Sequence, residues 1–81
     1  MSAEQFRSIL SVAILPYVIE LIVREAKLGE ITATELFYHS KTFEVLSDEQ
    51  TKVWHFSPLT IYNMWVSELE LGEIQFPEEA V

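Results

Sequence analysis

Residues 9–23 read Ile9-Leu10-Ser11-Val12-Ala13-Ile14-Leu15-Pro16-Tyr17-Val18-Ile19-Glu20-Leu21-Ile22-Val23, and this run decides the fold class. Together with Phe6, the positions Ile9, Leu10, Ala13, Ile14, Tyr17, Val18, Leu21 and Ile22 recur at i, i+3, i+4 and i+7. That is the period of an amphipathic helix. Ser2 and Gln5 stand three apart as a capping box at its start. Arg24 and Lys27 suit the negative end of its dipole, and Gly29 is expected to take the left-handed position that ends it. Pro16 lacks an N–H and crowds the preceding turn, so a kink or break is expected near Leu15.

The same run has an apolar surplus. Val12, Leu15, Ile19, Val23 and Ala26 form a second stripe, and a helix apolar nearly all round must be covered on every side. Val12, Leu15, Ile19 and Val23 are therefore expected to meet another chain, either a second copy in a homodimer or a protein partner. A membrane span is not expected: the run is fifteen residues, interrupted by Ser11, Pro16 and Glu20, where a spanning helix needs about twenty. No basic leader and small-residue cleavage site mark it as a secretion signal. The expectation is a buried helix of a cytoplasmic protein.

Further along, Thr32 and Glu35 suggest a second capping box, with Ile31 stapled onto Leu36. This helix should weaken near residues 40–42. Ser57 and Pro58 mark another helix start, with Leu59, Tyr62, Trp65, Val66 and Leu69 as its core stripe and Gly72 at its end. The Leu28-Gly29-Glu30-Ile31 and Leu71-Gly72-Glu73-Ile74 echo reads as one helix-stop device used twice. Residues 42–56 are ambiguous. They fit two short helices, the second capped by Ser47 with Gln50, or a hairpin, because they are rich in β-branched and aromatic types. The expected fold is all-α, a small bundle of three to five helices with a long, kinked or broken N-terminal helix. The alternative is α+β with a short hairpin at 42–56. One helical domain should cover residues 1–74, with an extended tail at 75–81.

Composition narrows function. Of 81 residues 49% are hydrophobic and none is Cys, so the chain is globular without disulfides or thiolate metal sites. The net charge of −8 repels phosphate backbones and argues against nucleic-acid binding. The charge is uneven: residues 1–41 hold five acids and four bases, residues 42–81 eight acids and the single base Lys52. Glu68, Glu70 and Glu73 fall near the C-terminal end of the last helix, where acids oppose the dipole. They are expected to form a face for a basic partner, with Trp54 and Trp65 as aromatic anchors. Glu35, His39 and His55 are the one combination with metal-ligand chemistry, yet no dense motif supports it, and no metal or cofactor is expected. His55 is expected at the core edge with a hydrogen-bonding partner. No nucleophile elbow or phosphate-cradling glycine loop is present, so catalysis is not expected.

The stretch Leu36-Phe37-Tyr38-His39-Ser40-Lys41-Thr42-Phe43-Glu44-Val45-Leu46-Ser47-Asp48-Glu49-Gln50-Thr51-Lys52-Val53-Trp54-His55-Phe56-Ser57-Pro58 resembles small uncharacterised acidic helical proteins of Gram-positive bacteria. Some of these are encoded beside ADP-ribosyltransferase-like toxin genes, and the resemblance implies an antitoxin-like or accessory role. The functional expectation is thus a non-catalytic protein-interaction module. The alternative is a small regulatory protein with an aromatic-lined ligand pocket.

Overall fold

The computed structural model describes residues 2–76, and the part of the expected tail at 77–81 lies outside them. Four helices occur among the described residues: α1 (Ala3–Ala26), α2 (Glu30–Tyr38), α3 (Lys41–Leu46) and α4 (Pro58–Leu71). Two single 3-10 turns, Glu49–Thr51 and Val53–His55, join α3 to α4. No strand occurs among the described residues, so residues 42–56 hold the end of α3 and the two 3-10 turns, not a hairpin.

Helix α1 opens on the expected capping box: Gln5 N–H donates to Ser2 Oγ at 3.1 Å, and Ser2 N–H to Gln5 Oε1 at 2.8 Å. Its middle, Ile9–Ile14, is a π-helical segment, in which Leu15 N–H donates to Leu10 O five residues back. Pro16 follows at once, at the start of the second α segment. A proline would clash with the carbonyl four residues earlier, and the wider turn before it relieves that crowding. The wide turn also sets the register. Phe6, Leu10, Ile14, Val18 and Ile22 are all buried and recur every four residues. In a regular helix each such step turns the face by about 40°, so four steps would carry it about 160° off the core. The extra residue of the π segment cancels much of that drift.

This register corrects the two stripes read from the sequence. Leu15 and Ile19, expected to face another chain, are buried at 8% and 9% exposure within this one. Ala13 and Tyr17, expected in the core, are exposed. Val23 is half-buried against the core, and Val12 is 73% exposed. By length and composition α1 is long and apolar enough to cross a membrane, although one of its faces forms the domain core.

The turn after α1 also differs from expectation. Lys27, not Gly29, takes the left-handed conformation (φ 59°), and Gly29 (φ −68°) is the extended N-cap of α2. With the left-handed residue two positions early, Leu28 packs against the core and Gly29 starts the next helix. Thr32 therefore lies inside α2 rather than capping it, and Ile31 stays 77% exposed rather than stapled to Leu36. The echo at Gly72 differs too, because Gly72 is left-handed (φ 77°) and does end its helix.

Helix α2 buries Ala33 and Phe37. Helix α4 is capped by Ser57, whose Oγ accepts from Thr60 N–H at 3.2 Å, with Pro58 in its first turn. It buries Ile61, Met64 and Trp65, while Leu59 and Leu69 of the expected stripe are 56% and 64% exposed. Burying side chains such as Ile22, Phe37, Leu46 and Ile61 fully contributes about 1.5–3 kcal/mol each. Because left-handed backbone penalises a Cβ, Lys27→Gly is expected to stabilise the fold by about 0.5–1 kcal/mol. By the same logic Gly72→Ala should destabilise it by about 1 kcal/mol. Urea denaturation midpoints measure both, and a loss of stability in Lys27→Gly would contradict the assignment.

Candidate functional site: the groove between α1 and α2

Two features of the packed chain bear on function, a half-buried carboxylate clamp and an open groove. The clamp is Glu68. Its Oε1 accepts from Thr42 N–H and Thr42 Oγ1–H, both at 2.8 Å, and its Oε2 accepts from Lys41 N–H at 2.9 Å. Ser40 Oγ accepts from Phe43 N–H at 3.0 Å, so the first three donors of α3 all have side-chain acceptors. A six-residue helix has no independent stability. These caps, with the burial of Thr42 and Leu46, hold it in place.

This corrects the reading of the acidic end as a uniform partner-facing surface. Glu68 sits near the negative end of its own helix, but its carboxylate meets the positive end of α3, where an anion is stabilised. Burial pushes the Glu68 carboxyl up, but the hydrogen bonds from the Lys41 backbone and from Thr42, with the Lys41 charge, outweigh it. The pKa therefore lies below its ordinary value of 4.5. Glu70 and Glu73 are exposed, and Glu73 falls beyond the helix end at Leu71.

The other expected anchors are mostly internal. Trp65 is 2% exposed. Trp54 is half-buried, donating from Nε1 to Glu49 O at 3.1 Å and packing edge-on to Phe6 with centroids 5.6 Å apart. Asp48, not Ser47, caps the 3-10 turn that follows α3, accepting from Gln50 N–H at 2.9 Å. His39 is exposed, its Nδ1 2.8 Å from Glu35 O. His55 is exposed and lies against Trp54, with ring centroids 3.9 Å apart, rather than hydrogen-bonded at the core edge. Among the described residues no three His, Cys, Asp or Glu side chains come together to hold a metal. The aromatics serve packing: Phe37 is buried, and Tyr38 stacks on Phe43 with centroids 4.5 Å apart.

The groove runs between α1 and α2, with a volume of about 470 Å³. Leu15, Ile19 and Val23 line it from α1, and Thr34 and Tyr38 from α2. Three of the residues read from the sequence as partner-facing are thus brought together, but at its base, where α2 already covers part of them. Val12, the fourth of those residues, does not line the groove. The α2 side of the groove, Glu30, Thr34 and Tyr38, carries no signal in the sequence, because it follows only from where α2 packs against α1. No family model, curated protein or solved structure matches the chain.

The clamp gives a direct expectation. Glu68→Gln keeps shape but removes the anion, and should destabilise the fold by roughly 1–2 kcal/mol, a charged hydrogen-bond loss discounted for partial solvent exposure. Because the folded pKa is depressed, the clamp's contribution is present above about pH 4.5 and is lost as pH falls through the lower folded value. Urea titrations at neutral and acid pH test this: the wild type should fall toward the variant on acidification, and a constant gap would contradict it.

Proposed function

We propose that this chain is a non-catalytic protein-interaction module whose α1–α2 groove receives a segment of another protein. The observation that carries this reading is the groove itself, lined by Leu15, Pro16, Ile19 and Val23 of α1 and by Tyr38 of α2, which is 47% exposed. Single exposed apolar residues need no explanation, but a concave surface lined by several apolar side chains marks a contact surface. The floor residues Leu15 and Ile19 are nearly closed off, so the partner reaches them over the half-buried Val23 and the exposed Tyr38. The reading places the protein in the cytoplasm, with α1 serving the domain core instead of a bilayer. An antitoxin-like or accessory role, as the resemblance of residues 36–58 implies, is one setting for such a module.

Photo-crosslinking from groove positions Ser11 and Thr34 in cells tests the reading. Discrete adducts are expected, abolished by Val23→Asp and retained in Leu71→Asp, a change at an exposed site outside the groove. Adducts consisting of the chain with itself would instead make the groove a homodimer contact. Adducts indifferent to Val23→Asp would refute it.

A further inference from the structure

The groove has a charge character as well as a shape. Its ionised lining groups are both carboxylates, Glu20 from α1 and Glu30 from α2, and the hydroxyl residues Ser11, Thr34 and Tyr38 complete its polar lining. Arg24 reaches Glu20 at 3.9 Å and Glu25 at 4.0 Å, with its side chain 62% exposed. Ion pairs so exposed hold their carboxylates weakly, leaving Glu20 free to meet another cation. The floor from Leu15 to Val23 covers about 12 Å of helix, the length of roughly two turns of a facing helix. Two turns present about three apolar side chains at i, i+3 or i+4, and i+7.

Resting on the groove reading above, we infer that the occupant is a cationic amphipathic helix of a partner protein. Its apolar side chains lie over Leu15, Ile19 and Val23, and its Lys or Arg side chains reach Glu20 and Glu30 on the two walls. Charge complementarity selects this occupant over a second copy, which would bring the same net charge of −8 and only five bases to the contact. It also fits the field of the whole chain, which draws cations and repels anions.

The probe is a designed, fluorescein-labelled helical peptide of about eighteen residues, or five turns, with Leu at i, i+3, i+4 and i+7 and Lys on both flanks. A sibling carries Glu on the flanks. Titration with the whole chain should show one-to-one binding of the Lys peptide that weakens with salt, and at least about tenfold weaker binding of the Glu peptide. Glu20→Lys with Glu30→Lys should weaken the Lys peptide about tenfold while improving the Glu peptide. Ser11→Arg and Thr34→Arg, which block the groove, should weaken both peptides, whereas Glu70→Gln with Glu73→Gln should change neither by more than about twofold, since both are exposed outside it. Circular dichroism checks that each variant keeps its helices.

Equal affinity for the two peptides would overturn the charge assignment. A Lys peptide insensitive to Ser11→Arg and Thr34→Arg would reduce it to general attraction for an acidic protein, and would overturn it too. If neither peptide binds while Val23→Asp still abolishes cellular crosslinks, the cationic helix is refuted and the interaction groove stands. If Val23→Asp also leaves the crosslinks intact, both fall.

Discussion

Pro16, an imino acid with no N–H inside the longest helix, is the constraint on which the rest of the structure depends. A regular turn ahead of it would place a carbonyl against its ring. The chain answers with the π segment Ile9–Ile14, and Leu15 N–H bonds Leu10 O instead of a nearer carbonyl. The consequence reaches beyond local relief. The added residue turns the second half of α1 so that Val18 and Ile22 continue the line of Phe6, Leu10 and Ile14 into the core. The same rotation sets Leu15, Ile19 and Val23 beside α2, where they form the groove floor. Core and groove are two faces of one register.

The second half of the domain is fixed by polar chemistry. Helix α3 is too short to hold itself, and its N-terminal donors find acceptors in Ser40 and in Glu68 from a helix far along the chain. Thr42, fully buried, is tolerated because its hydroxyl donates to the same carboxylate. Glu68 thereby chooses the face that α4 presents: Ile61, Met64, Trp65 and Glu68 follow i, i+3, i+4 and i+7 spacing, a line that ends on a charge.

How much of this is legible in the sequence depends on the kind of signal. Helix existence was plain, because capping residues and a 3.6-residue period act locally: Ser2, Ser57 and Gly72 do what their types suggest. Helix faces were not. In α1 a fixed period cannot track a register that changes at a π segment, so it turns Tyr17 inward and Ile19 outward, the reverse of their burial. In α4 apolar residues occur nearly all round, and the deciding member of the buried line is Glu68, which an apolar criterion passes over. The turn at Lys27 shows a third limit, since burying Leu28 outweighs the usual preference for glycine in left-handed backbone. Val12, Leu15, Ile19 and Val23 stand out as a set for a sound reason, a surplus of apolar surface, yet only the last three line the groove. Which of them another chain would touch depended on where α2 lies.

The groove inherits its chemistry from these choices. An apolar floor fixed by the α1 register, with a carboxylate on each wall, is a surface suited to an amphipathic partner. Everything in that account depends on the rotation of α1 at Pro16. The most direct measurement is methyl and aromatic NMR of the free chain with a soluble paramagnetic probe. Leu15 and Ile19 should be protected and show contacts to Thr34 and Tyr38, while Val12 and Tyr17 should be strongly attenuated. Protection of Tyr17, with Leu15 and Ile19 attenuated, would mean a regular helix in a different register and would contradict the account.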